Sequence, residues 1–172
     1  MADSDVTSVI AKQHEETKQV LQDLLRREGV ERARVFRKLR VMIALHETAE
    51  EQAVHPEAMR QLGGNDQGIK ARIAEESEAG ELIGKLESFD IDSKDFMDGF
   101  TELANSVIEH AQAEEEDEWP ALREITDANI NERMVRVMSA VPTVADDPAG
   151  LAEGATFAHM LAWAPEQLPL SS

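Results

Sequence analysis

Residues 46–56 read HETAEEQAVHP, and residues 110–120 read HAQAEEEDEWP. The two stretches share one frame: His46 and His110, then Glu50-Glu51 and Glu114-Glu115, then Pro56 and Pro120. A His and a Glu four residues apart on a helix lie one turn apart on the same face. The imidazole can bind one ion while the carboxylate reaches along the helix to bridge to a second. Two helices of this kind supply two bridging carboxylates and terminal histidines. One such pair arises readily by chance in an acidic chain; two copies with matching downstream Glu and Pro do not.

Each copy closes a long helical pattern. The second helix is expected from about Val30 to Ala53, with the seam Val35, Leu39, Met42, His46, Glu50 and Ala53. The fourth is expected from about Ser93 to Glu118, with the seam Phe96, Phe100, Leu103, Val107, His110, Glu114 and Asp117. The first runs from about Asp5 to Glu28 and stops at Gly29; its seam is Val6, Ile10, His14, Thr17, Leu21 and Leu24. The third runs from about Asp66 to Glu87, through Ile69, Ile73, Glu76, Gly80, Ile83 and Leu86. Helices of ~25 residues span roughly 37 Å, and short connections favour antiparallel neighbours.

The expected fold is therefore all-α, an antiparallel up-down-up-down four-helix bundle over residues 1–125. A short helical C-terminal extension over 126–172 is expected to pack on it. There Asp127 should cap a helix to Met138, with Pro142 and Pro148 as interruptions. Asp147-Pro148 should open a last helix, ended by Pro165 after Ala164.

The 172-residue chain carries 35 acidic and 17 basic residues, a net charge of −18. That argues against nucleic acid or an anionic membrane as partner, since both reward clustered Lys and Arg. Cysteine is absent, so any metal site must use nitrogen and oxygen ligands. No apolar run approaches the ~18 residues of a membrane span. The acidic start, Met1 to Asp5, is unlike a signal peptide, and a cytoplasmic location is the expectation.

All four seams are interrupted by ionisable residues: His14, His46 with Glu50, Glu76, and His110 with Glu114. Burying such groups is costly unless they are paired or hold a metal. Metal coordination satisfies all of them together, because neutral imidazoles and ionised carboxylates suit a hard or borderline divalent ion.

These residues resemble the hemerythrin-like (HHE cation-binding) family over about residues 5–120. The resemblance implies a four-helix bundle around a non-haem centre of two iron ions. It implies that His14 and His46 bind one iron, that His110 belongs to the other, and that Glu50 and Glu114 bridge them. The chain departs from the family on the third helix, which usually carries His. No His lies between His55 and His110, and Glu76 stands where the family's His would be. The resulting set of three His and three Glu is rich in carboxylate, which favours redox chemistry or a change of metal, such as manganese.

His55 is a further candidate: it precedes Pro56 as Trp119 precedes Pro120, where the family places Phe or Tyr near the cavity. It either replaces the missing nitrogen or is an exposed His at a helix end. Glu15, Glu47, Glu51 and Glu115 read as supporting or surface groups, and His159 as a packing or surface residue. The implied function is binding or reduction of a small oxidant (dioxygen, peroxide or nitric oxide), with oxidase- or catalase-like turnover as its catalytic form. The alternatives are an iron or oxygen sensor, a metal store, or a structural bundle with a degenerate site.

Overall fold

The computed structural model describes residues 5–171; Met1 to Ser4 and Ser172 lie outside the described residues. Four long helices are present: α1 (Val6–Arg26), α2 (Gly29–Ala49), α4 (Gln67–Leu86) and α5 (Lys94–Asp117). Between α2 and α4 come a π-helical turn (Glu50–Val54) and α3 (His55–Leu62). After α5 come α6 (Trp119–Arg123), α7 (Ala128–Asp146) and α8 (Phe157–Gln167). No strand occurs among the described residues. None of the described helices is long and apolar enough to cross a membrane.

Side-chain caps set the starts of α1 and α5. Asp5 accepts from the Thr7 N–H, and Ser93 accepts from the Phe96 N–H. Each satisfies a donor that the first turn leaves open. Gly63, at φ 58°, ends α3 in the left-handed region. Gly29, expected to stop the first helix, instead opens the second: at φ 55° it turns its N–H onto both Asp92 carboxylate oxygens at 3.0 Å. That bond ties the α1–α2 turn to the start of α5, and Arg32 adds a 2.7 Å pair to Asp92.

The starts of α2 and α5 thus share one end of the molecule, while His55 and Glu118, just past their ends, meet at the other. The four helices form the expected up-down-up-down bundle. Its lower half is dry: Phe36 meets Phe96 edge-on at 5.1 Å, and Phe96 stacks on Phe100 at 6.1 Å. Leu24, Leu39, Ile83, Leu86 and Leu103 fill the space around them. The upper half holds the ionisable residues.

The C-terminal region differs from expectation in three ways. Pro142 lies inside α7, which continues to Asp146. Asp147-Pro148 forms a turn rather than a helix start, and α8 begins nine residues later at Phe157 with Thr156 as its cap. Pro165 lies within α8 instead of ending it. Here His159 completes a capping box, its Nδ1 facing the Thr156 N–H at 3.5 Å.

Helix α7 packs on α1 and α2, and α8 packs on α2 and α4. This explains why Val41, Ile43, Ala44 and Leu45 are all buried although they circle α2. A helix apolar on every side must be covered on every side.

Candidate metal centre

Four elements carry the expected residues into the upper half of the bundle. α1 brings His14; α2 and the π turn bring His46 and Glu50; α4 brings Glu76; α5 brings His110 and Glu114. His14, Glu50, Glu76 and Glu114 are each at most 7 % exposed. Donor atoms of these residues and of His55 fall into two groups, with His110 in neither. One atom each from His14, His46, Glu50 and Glu114 lie within 4.8 Å of one another, as do one each from Glu50, His55, Glu76 and Glu114. Glu50 and Glu114 belong to both groups, so two adjacent sites share two carboxylates.

Residues 5–122 match the family model described as the Hemerythrin HHE cation binding domain. The chain belongs to this family. No curated protein and no solved structure matches it.

The second site of this hemerythrin domain depends on an irregularity. Helix α2 was expected to remain α-helical to Ala53, but it loosens into the π turn at Glu50. On an α-helix, residues five apart point about 140° away from each other. In a π turn the hydrogen bond runs between residues five apart, so they stack. Glu50 and His55 therefore face the same way, and His55 is 1 % exposed rather than at the surface. The other copy behaves differently. There α5 continues to Asp117, and the residue one turn after Glu114 is Glu118. Glu118 is buried, while Asp117, expected on the seam, is exposed.

Each imidazole turns one nitrogen to the carboxylates and the other to an outer partner. His14 Nε2 lies 3.2 Å from Glu114, and its Nδ1 3.5 Å from Glu115. His46 Nε2 lies 3.3 Å from Glu50, and its Nδ1 2.8 Å from Gln13 Oε1. His55 Nε2 lies 3.0 Å from Glu76, and its Nδ1 2.9 and 3.0 Å from the two Glu118 oxygens. His110 Nε2 lies 3.4 Å from Glu114 and 3.8 Å from Glu76, and its Nδ1 3.0 Å from Glu75. The outer hydrogen bonds of His46, His55 and His110 are of the kind that orients metal-binding histidines and selects their tautomer. Trp119, the repeat partner of His55, stacks on the His14 ring at 6.2 Å.

The inner atoms do not satisfy one another. His14 Nδ1 and Nε2, Glu50 Oε2, Glu76 Oε2 and both Glu114 oxygens are buried without a hydrogen-bond partner. The 3.2 Å approach of His14 to Glu114 is close but misaligned for a hydrogen bond. So many unpaired buried polar atoms in one place suit a bound cation, since buried polar groups are otherwise paired. The donor set of imidazole and carboxylate fits a divalent transition metal.

The electrostatics of the metal-free cluster are strained. Burial and the charge of Glu114 hold the Glu50 carboxyl well above the usual range. Burial pushes Glu114 up too, but the nearby imidazoles of His110 and His14 outweigh it and hold Glu114 well below. Burial and the neighbouring His14 bring His46 down to about 3, so it is neutral. Burial also works against charge on His55, but the hydrogen bonds and charges of Glu118 and Glu76 lift it to about 10. Glu47 is raised by burial and by Glu76 and Glu51.

A small cavity of about 40 Å³ touches the cluster, between His14, His46, Glu76 and His110. Ile43, Ala79, Val107, Ile108 and Ala111 give its wall an apolar part beside these ionisable groups.

Gln13, Glu75 and Glu118 are part of this arrangement but were not singled out as supporting groups by sequence reasoning. Glu118 had a signal: four residues after Glu114 is as good a seam position as three. Gln13 and Glu75 each sit one residue before an inward-facing residue. Nothing in a helical period distinguishes them from solvated neighbours.

Proposed function

We propose that this hemerythrin domain holds two iron ions and binds or reduces a small oxidant such as dioxygen, peroxide or nitric oxide. The observation that carries this reading is the pair of donor groups sharing Glu50 and Glu114, with a small apolar cavity against them. His14 and His46 would hold one ion, His55, Glu76 and His110 the other, and Glu50 and Glu114 both. Manganese would fit the same oxygen-rich set. Two redox-active ions held there would supply electrons to, or accept them from, a small oxidant.

The chain's own residues do the rest. Glu118, Glu75 and Gln13 hold three of the four imidazoles in place from outside, and Glu115 lies near the fourth. The cavity, about 40 Å³, has room for a few water-sized molecules. That space suits a diatomic or peroxide. Dismutation of peroxide to water and dioxygen needs no outside reductant, so it is the turnover the domain can perform alone.

The test is elemental analysis of protein expressed in iron-replete medium, with an optical spectrum and peroxide-dependent dioxygen release. About two ions per chain with dioxygen release is the expected result. Two ions without turnover would shift the function to sensing. No metal, and no uptake of Fe(II) added anaerobically, would sink the metal reading.

A further inference from the structure

Proline inside a helix leaves a carbonyl without its donor, because the ring has no N–H to give to the residue four positions earlier. In α7 that proline is Pro142, and the carbonyl it leaves free belongs to Met138. Met138 is fully buried, so water does not satisfy the oxygen. Gln13 does: its Nε2 donates to Met138 O at 2.7 Å across the α1–α7 contact. The same amide turns Oε1 toward His46 Nδ1 at 2.8 Å.

The direction of these bonds follows from chemistry alone. A carbonyl oxygen only accepts, so the Gln13 atom facing Met138 must be the amide nitrogen. The atom facing His46 is then the amide oxygen, which also only accepts. His46 Nδ1 must therefore carry the proton. Its Nε2 is left with a lone pair, directed at Glu50 and the shared carboxylates.

We propose that Gln13 is a positioning residue that locks His46 in the Nδ1–H tautomer, and that the Pro142-freed carbonyl of Met138 on α7 is what aims it. The consequence is that α7, which lies beyond the residues 5–122 matched by the family, is a working part of the centre. It also explains why a neutral amide stands here. The other three imidazoles have carboxylates as outer partners, Glu115, Glu118 and Glu75. A carboxylate at position 13 could accept from His46 but would set an anion against the Met138 carbonyl.

This inference rests on the di-metal reading for its purpose but not for its test. The metal-free protein, labelled with 15N-histidine, reports the His46 tautomer directly by long-range proton–nitrogen correlation. Wild type should show His46 as the Nδ1–H form. Gln13→Met, which keeps the volume and removes both hydrogen bonds, should give tautomer exchange or the Nε2–H form. Gln13→Glu should keep the Nδ1–H form while lowering thermal stability. In metal titrations, Gln13→Met should weaken one of the two ions by about ten- to a hundred-fold, the usual effect of losing an orienting partner. An Nε2–H His46 in wild type, or an unchanged His46 signal in Gln13→Met, overturns the proposal. If the tautomer behaves as stated and wild type binds no metal, the relay stands and the di-metal reading falls.

Discussion

At the scale of single residues, the centre separates side chains that face the shared carboxylates from those one step round the helix. Glu50 and Glu114 are each at most 2 % exposed, whereas Glu51 and Glu115, rotated by about 100°, are exposed. Glu50→Ala and Glu114→Ala should each abolish binding of both ions. Glu51→Ala should leave both, and Glu115→Ala should cost at most the orientation of His14. Isothermal titration of the four variants with Fe(II) or Co(II) decides this, and equal losses across them would show that the wrong face has been assigned.

His55 carries a second prediction at this scale. Its imidazole is lifted from 6.5 to about 10 in the metal-free protein. A group whose folded value is raised contributes stability that is complete below its unfolded value and is lost as pH rises through the folded one. The melting temperature of the metal-free protein should therefore fall between about pH 6.5 and 10, through this pair. Glu118→Gln removes the charge that raises His55 and should flatten that slope. A slope identical to wild type in Glu118→Gln would place the titration elsewhere.

At the scale of elements, the π turn carries the argument. Five residues separate Glu50 from His55, and they stack only because the turn is wide. Deleting the exposed Gln52 would leave four residues, the spacing of an ordinary α turn, with His55 still above Glu50. That variant should keep both ions. Inserting an alanine at the same point should rotate His55 by about 100° and lose the second ion, with helical content unchanged by circular dichroism. If the insertion keeps two ions, or the deletion loses one, the π turn is not what delivers His55.

At the scale of the whole molecule, the bundle is divided into a dry half and an ionisable half. The phenylalanine and leucine layers do not depend on the centre, so chelation should leave the chain helical. The ionisable half should loosen without its cations, because the orphaned carboxylates and imidazoles then face one another unneutralised. A ligand at a hundred times its dissociation constant stabilises the folded state by about 2.7 kcal/mol per site. Removing two ions should lower the melting temperature measurably, and restoring them should recover it. An unchanged melting temperature in protein shown to have lost its metal would mean that the cluster is already satisfied without it.

Much of this was legible without coordinates. The seams placed His14, His46, Glu50, Glu76, His110 and Glu114 inward because a helix repeats its faces every 3.6 residues, and that period is written in the order of residues. The repeat around His46 and His110 carried the pairing of helices with it, and the cap at Asp127 was legible too. Where local order runs out, packing decided. Whether a helix continues as α past Glu50 or Glu114 is a choice of one residue in register. The two copies choose differently, and His55 meets Glu118 across the bundle. Whether Pro142 breaks a helix depends on who satisfies the carbonyl it frees, and Gln13 lies 125 positions away from Met138. Such bonds between distant residues leave no period in a sequence; they exist only once the chain has folded.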